Sequence, residues 1–228
     1  MNILAIDTST LRAAVALGRT GEPALIAPSD PERRHGRGLL PSISALLDTG
    51  GITAGDLDLI AVGVGPGSYT GLRIGLTAAK CLAFAVGKPL VSFDSLEAIA
   101  RNAPEQQLRV AVAVDAQRGD AYVAEFAREE PGSPLLRRGP TRIESLATWP
   151  IGLDPGTLIL GPALDRLAVE WPSSVLLGDV DQGHPEGSRL IALAGESLEA
   201  GRMADPYFLE PMYLRRSAAE DQWERRKP

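Results

Sequence analysis

The chain has 228 residues, of which 44% are hydrophobic, and it carries a formal net charge of −6. This length allows one large or two small domains with a sizeable core, and no stretch is apolar for long enough to predict a membrane span. The acidic balance argues against a protein that holds nucleic acid by itself, because that affinity comes mainly from cationic groups that neutralise phosphates.

The first 105 residues alternate between strand and helix patterns. Apolar runs separated by polar turns predict a β-meander at 3–6, 13–17 and 24–26. A charged loop that contains His35 leads to Pro41, which fits the first turn of a helix ending at Gly50. The elements expected next are a strand at 57–64, a helix at 70–86 capped by Ser68 or Thr70, a strand at 89–93, and a helix at 96–102 capped by Asp94 or Ser95.

Composition turns polar at 104–109, where we place the boundary between a domain at 1–105 and a smaller domain at 106–228. The second half opens as the first does, with an apolar strand, an aspartate (Asp115), a polar turn and a returning strand. The elements expected after it are strands at 158–160 and 175–177, helices at 164–169 and 189–200, loops at 131–134 and 150–156, and a charged tail after Leu214.

A glycine-rich turn at 63–75 joins the predicted central strand to the long helix. Free N–H groups at a helix start could cradle a phosphate. The glycine spacing, however, matches neither the dinucleotide fingerprint, nor the P-loop, nor the nucleophile elbow. The favoured interpretation is that these glycines permit a sharp turn and close packing.

The helix at 70–86 is apolar on two opposite sides. The first stripe consists of Leu72, Leu76, Ala79, Ala83 and Val86, and the second of Ile74, Thr77, Ala78, Cys81 and Ala85. The sheet of its own domain can cover one stripe, so a second helix must cover the other, either from the same chain or from another subunit. The single cysteine, Cys81, is expected on a buried face and is typical of a reducing cytoplasm. Asp7 interrupts the N-terminal apolar run too early for a signal peptide.

Asp7 ends the first strand and precedes three hydroxyl residues. Such a group could hold a hydrated Mg²⁺ with phosphate oxygens, or it could form an Asx or ST turn that closes a hairpin. Asp115 occupies the matching place in the second half. We expect both aspartates at vestigial phosphate loops, and with only two histidines in the chain no metal site is predicted.

Two Asp-turn hairpins, one opening each half, are typical of the two-domain α/β fold of actin, Hsp70 and sugar kinases, which is ribonuclease H-like, here with a reduced second domain. Several segments together resemble the TsaB (YeaZ) family of tRNA threonylcarbamoyladenosine biosynthesis proteins. These segments are Ile6-Asp7-Thr8-Ser9, His35 ahead of Leu39-Leu40-Pro41, the block from Gly63 to Gly75, the stretch from Asp115 to Tyr122, and Pro211-Met-Tyr-Leu-Arg215.

This resemblance implies a cytoplasmic protein without a catalytic cycle of its own. Members of the family pair with the catalytic paralogue TsaD and the ATPase TsaE to modify adenosine 37 of tRNA, and they form homodimers when alone. Contact with tRNA would then be indirect, through the complex. TsaD holds a metal with an H-x-x-x-H motif, which this chain cannot form because Leu39 stands four residues after His35. No cofactor is expected for the chain itself, and a nucleotide at the junction with TsaD is left open.

The family's partner surface, carried onto matching positions, involves the helix after Pro41 and the outer stripe of the next helix. The predicted interface residues are Leu39, Ile43, Tyr69, Thr70, Arg73, Ile74, Thr77, Ala78 and Cys81. The alternative hypothesis is a small ATP-dependent phosphotransferase with Asp7 at Mg²⁺ and Asp115 as base. A zinc or glycoprotease role finds no ligand set in the sequence.

Overall fold

Two β-sheets form the centre of the protein in a computed structural model that describes residues 1–28, 35–166 and 169–215. The first sheet has the strand order β12-β5-β4-β1-β2-β3. Its strands are β1 (Ile3–Asp7), β2 (Ala14–Gly18), β3 (Leu25–Ile26), β4 (Leu59–Gly63), β5 (Leu90–Phe93) and β12 (Met203–Ala204). The predicted β-meander and the two strands after it are therefore present.

The second sheet repeats the central topology of the first. Its strands are β6 (Arg109–Asp115), β7 (Asp120–Ala127), β8 (Leu136–Arg137), β9 (Arg142–Ser145), β10 (Leu158–Leu160) and β11 (Leu176–Leu177). In the first sheet β1 pairs antiparallel with β2 and parallel with β4. In the second, β6 pairs antiparallel with β7 and parallel with β10. This duplication confirms the predicted actin and sugar-kinase class of fold.

Helices cover both faces of the first sheet, because neighbouring residues of β1 point to opposite faces. Leu4 and Ile6 share one core with two helices, and Ile3 and Ala5 share another with a third. These are α1 (His35–Gly50) and α2 (Tyr69–Val86) on one face and α5 (Gly187–Glu199) on the other. The remaining helices are α3 (Ser95–Ala100) and α4 (Ala163–Arg166), with 3₁₀ turns at Ala54–Asp56, Trp149–Gly152 and Asp181–Gly183.

The helix ends follow local chemistry. Ser68 caps α2 by accepting a hydrogen bond from the Gly71 N–H at 3.1 Å, and Gly87 ends the helix in the left-handed conformation with φ 64°. Asp94 caps α3 by accepting hydrogen bonds from two backbone N–H groups. Of the two caps considered for each helix, the structure selects Ser68 and Asp94.

The start predicted for the first helix is wrong. That helix begins at His35, and Pro41 lies inside it instead of in its first turn. Proline has no N–H to donate to the carbonyl four residues earlier, at Arg37. Both residues are exposed, so water can bond to that carbonyl.

The division into domains at 105 and 106 does not match the packing of α5 and β12. Both lie in the predicted second domain, yet α5 packs against β1, β2 and β5, and β12 pairs with β5. The chain thus returns to the first sheet after it completes the second. Strands β8, β9 and β12 are not among the predicted elements, because none of these short segments contains a run of three apolar residues.

Candidate functional site: a closed aspartate turn and an exposed helix face

The Asp7 carboxylate is completely buried at the end of β1. Its Oδ1 accepts a hydrogen bond from the Ser9 N–H at 2.8 Å, which is the geometry of an Asx turn. Its Oδ2 accepts one from the Ser95 hydroxyl at 2.6 Å, and that hydroxyl oxygen accepts one from the Gly65 N–H at 3.0 Å. Burial raises the pKa of the Asp7 carboxyl, although its hydrogen bonds from Ser9 and Ser95 act in the opposite direction.

Four glycines of the block at 63–75 pack on the turn after β1 and help to separate the Asp7 carboxylate from solvent. A Cβ on Gly63 would lie 1.9 Å from Asp7 Oδ2, and one on Gly67 would lie 2.3 Å from the Ser9 carbonyl oxygen. A Cβ on Gly71 or Gly75 would lie 2.1 Å from the Thr8 carbonyl oxygen or from Thr8 Oγ1, respectively. The glycine block therefore packs directly on the turn that follows β1, as the sequence interpretation of close packing expected.

Asp115 occupies the equivalent turn in the second half but is more open. Its Oδ1 accepts a hydrogen bond from the Gln117 N–H at 2.7 Å, which repeats the geometry at Asp7. Gln117 and Arg118 follow with φ of 67° and 61°, values that residues other than glycine adopt rarely. Asp115 lines a cleft of about 410 Å³ between the two halves, whereas the Asp7 carboxylate lies beneath that cleft's wall.

The C-terminal segment (205–215) crosses from the first sheet to this turn. The Met212 N–H donates to the Val64 carbonyl oxygen at 2.8 Å. Tyr213 stacks on Tyr69 with ring centroids 5.1 Å apart, and its hydroxyl accepts a hydrogen bond from Arg73 Nε at 2.9 Å. Arg215 then donates to the Ala116 carbonyl oxygen at 2.6 Å and forms an ion pair with the Asp120 carboxylate.

The first stripe of α2 lies against its own sheet, as the helical pattern predicted. Leu72, Leu76, Ala79 and Ala83 are buried, and Val86 is half-buried. Part of the opposite side stays exposed, between α1 on one border and the C-terminal segment on the other. The residues of this surface, which we call the open face of α2, are Thr70, Thr77, Cys81, Phe84 and Ala85.

The nine predicted interface residues divide into three groups. Tyr69, Thr70, Arg73, Thr77 and Cys81 are exposed, and Ile74 and Ala78 are half-buried where they pack on the core beneath α1 and α2. Leu39 and Ile43 are 3% and 5% exposed and belong to that core. Leu39 and Ile43 are buried among residues of β1, β2, β4 and α2 of their own chain, so the expectation that they lie on the partner surface is corrected.

Cys81 is exposed, although the sequence predicted it on a buried face. It lies on the side of α2 away from the sheet. The His35 side chain and the tail from residue 216 lie outside the described residues, so the predictions about them stay untested. Sequence reasoning did not assign a place to the Tyr213 and Arg215 contacts. The signal available was the Pro211-Met-Tyr-Leu-Arg215 motif, which indicates no position by itself.

Neither a membrane-crossing helix nor a metal-binding cluster is found in 1–28, 35–166 and 169–215. No helix there is both long and apolar enough to span a bilayer, and no three His, Cys, Asp or Glu side chains are grouped to hold an ion. Fold and site together define a protein of the actin and sugar-kinase class in which the first aspartate turn is closed by glycine packing.

Comparison with known proteins narrows this class. A family model described as "TsaD: tRNA N6-adenosine threonylcarbamoyltransferase" matches residues 23–132. The tRNA threonylcarbamoyladenosine biosynthesis protein TsaB of Bacillus subtilis is 34% identical over 98% of both chains, and that of Escherichia coli is 30% identical over 96% of both. The structure of YeaZ from Pseudomonas aeruginosa superposes with a TM-score of 0.75 at 28% identity, covering 93% of this chain and 99% of that one. The chain belongs to the TsaB (YeaZ) family.

Proposed function

We propose that this chain is a non-catalytic subunit that activates a TsaD-type partner in the N6-threonylcarbamoylation of adenosine 37 in tRNA, together with the ATPase TsaE. Two related proteins of nearly full-length match are named for tRNA threonylcarbamoyladenosine biosynthesis, which supports the pathway. A TsaD family model matches residues 23–132 of this chain, and this likeness in architecture supports a TsaD-type protein as the partner.

The observation that carries the proposal is the open face of α2. Thr77, Cys81 and Ala85 lie one helical turn apart and are small, so another helix could approach this face closely. Phe84 adds a large apolar side chain that is 65% exposed. Small residues that allow close approach beside one exposed aromatic anchor favour a protein partner over a small ligand.

The non-catalytic part of the proposal is supported by the state of Asp7. A carboxylate can hold a hydrated Mg²⁺ only if its oxygens reach solvent or the ion's water shell. Both oxygens of Asp7 accept hydrogen bonds inside the protein, and the glycine block occupies the space beside them. A phosphotransferase mechanism that relies on this residue would require the block to move away from the turn after β1.

Capture of the TsaD-type protein from the same organism tests the partner surface. We compare the unmodified chain with Cys81→Arg and with Ala200→Arg, an exposed position at the end of α5 on the opposite face of the first sheet. An unpaired guanidinium buried at the interface should cost about 3 kcal/mol, which is roughly a hundredfold in Kd. The control variant should bind as the unmodified chain does.

The same variants test self-association. We propose that the open face of α2 pairs two copies when no partner is present, so Cys81→Arg should sediment as a monomer at concentrations where the Ala200→Arg variant is a dimer. Equal partner capture by both variants, with unchanged circular dichroism, would place the interface elsewhere.

A further inference from the structure

A second concave surface lies on the opposite side of the first sheet from α2. It is a groove of about 580 Å³ between the end of α3, the outer side of α5 and the segment around β8. Its lining includes five arginines and three glutamates, a formal excess of two positive charges in a chain whose net charge is −6. The arginines of this arginine groove are Arg101, Arg128, Arg137, Arg189 and Arg202.

Two of these arginines are already neutralised by carboxylates. Arg101 donates to both oxygens of Glu196 at 2.6 Å and to Glu97 at 2.9 Å, which ties α3 to α5. Arg137 lies 2.8 Å from Asp94 and stacks on the Phe126 ring. These two guanidinium groups form a rigid side of the groove, because their positions are fixed by ion pairs between elements.

The other three arginines keep most of their donors free for a ligand. Among the described residues, the Arg128 side chain donates only to the Glu105 carbonyl oxygen, at 3.2 Å, and its Nε is buried without a hydrogen-bond partner there. Arg189 lies 3.8 Å from Glu186, which is too far for a hydrogen bond. Within the described part of the chain, the Arg202 guanidinium forms no hydrogen bond or ion pair, and its backbone N–H donates to the Ser197 carbonyl oxygen at 2.8 Å. The buried Nε of Arg101 also lacks a partner.

A buried N–H without an acceptor costs about 1–3 kcal/mol, so such groups usually meet a water, an ion or a ligand. Guanidinium groups recognise oxyanions through paired donors, and phosphate offers several oxygens that can be shared among more than one of them. We propose that the arginine groove is a binding site for a phosphate group, supplied either by a free phosphate compound or by the backbone of an RNA strand.

This site is independent of the proposed partner surface. Two of the elements that form the groove, α3 and α5, pack with Ile3 and Ala5 on one face of the first sheet, whereas the open face of α2 belongs to the other. A partner bound to α2 would leave the groove accessible. An RNA held by such a partner could therefore also contact these arginines. The inference that RNA supplies the phosphate group rests on the proposed function.

The test uses two double variants with the same change in charge. Arg128→Gln/Arg202→Gln removes two groove arginines, and Arg109→Gln/Arg138→Gln removes two arginines that do not line it. Binding of inorganic phosphate and pyrophosphate is measured by titration calorimetry on the full chain. Binding of single-stranded RNA and of tRNA is measured by fluorescence anisotropy over a series of salt concentrations, with and without the captured partner.

We expect the groove variant to lose binding of phosphate or RNA at least tenfold, while the matched control keeps it. For RNA, log K falls as log salt rises, and this slope should become less steep by roughly 1 for each phosphate group that the variant no longer neutralises. If inorganic phosphate binds saturably and competes with RNA, both ligands use the same site. If the groove variant affects RNA binding alone, the ligand of the groove is the phosphate backbone of RNA. No binding of either probe, equal losses in the control variant, or competition only by an acidic peptide would overturn the proposal. Because partner capture is measured separately, a failed partner interaction is distinguishable from a failed phosphate site.

Discussion

The packing of the glycine block on the Asp7 turn predicts that alanine substitutions inside α2 will destabilise the protein. Replacement of glycine by alanine in a helix normally stabilises it by up to about 1 kcal/mol, because alanine loses less backbone entropy. At Gly75 the new Cβ would lie 2.1 Å from Thr8 Oγ1, and at Gly71 it would lie 2.1 Å from the Thr8 carbonyl oxygen. Overpacking in a well-packed site costs about 1–3 kcal/mol, so the net sign reverses for both variants.

Removal of the Thr8 hydroxyl separates the two clashes. In a Thr8→Ala background the obstacle to Gly75→Ala is a side-chain atom that is now absent, whereas the obstacle to Gly71→Ala is backbone and stays. Thr8→Ala itself loses the 2.8 Å hydrogen bond from Thr8 Oγ1 to the Gly71 carbonyl oxygen, which is worth about 1 kcal/mol. We therefore expect a coupling free energy of about 1 kcal/mol or more between positions 8 and 75, and a much smaller one between Thr8→Ala and Gly71→Ala.

Urea denaturation followed by circular dichroism measures these free energies of unfolding. Gly36→Ala is the control, because its Cβ would meet only Ile74 Cδ1 among the described residues, at an ordinary 3.6 Å. That variant should be as stable as the unmodified chain or more stable. If Gly71→Ala and Gly75→Ala are as stable as the control, the glycine block does not pack on the turn and Asp7 is not closed off as described.

Three further predictions concern the same turn and the C-terminal segment. Burial raises the pKa of the Asp7 carboxyl above its ordinary value of 3.8. The stability that the protonated carboxyl contributes is therefore lost as pH rises through the folded pKa. Asp7→Asn should therefore gain stability relative to the unmodified chain in urea titrations as pH rises above the ordinary range of an aspartate, and a relative loss would contradict the direction of the shift. Ser95→Ala leaves the Gly65 N–H and one Asp7 oxygen without a partner, so the free energy of unfolding should fall by about 2–4 kcal/mol, against less than 1 kcal/mol for Ser188→Ala at the exposed start of α5. Arg215→Gln removes the ion pair with Asp120 and should cost about 2 kcal/mol, and its effect should shrink when Asp120→Asn is already present; additive effects would show that the two residues do not interact.

The elements with strong periodicity could be predicted from sequence because their causes are local. The two stripes of α2, the caps at Ser68 and Asp94 and the aspartate at the end of each opening strand all depend on residues a few positions apart. The interpretation of the glycine block as a close-packing device was also open to sequence reasoning, because the spacing fits none of the phosphate-binding motifs.

The long-range contacts could not be predicted in the same way. Arg73 meets Tyr213 across 140 positions of sequence, and α5 returns to the first sheet after the second is complete. The C-terminal segment is irregular, so no periodicity indicates which surface it covers. Leu39 and Ile43 show a related limit, because an apolar helical pattern marks a face that is covered without telling whether the cover is the same chain or a partner.

The central claim is that this chain activates a partner through the open face of α2 and does not use its own aspartates for chemistry. The most direct measurement is the formation of threonylcarbamoyladenosine in tRNA by TsaD-type and TsaE-type proteins, with the unmodified chain, Asp115→Asn, Asp7→Asn or Cys81→Arg as the added subunit. The account predicts that both aspartate variants support product formation at close to the unmodified rate, while Cys81→Arg reduces it at least tenfold at subsaturating concentrations. Loss of product with Asp7→Asn or Asp115→Asn in a folded chain, and full activity with Cys81→Arg, would contradict it.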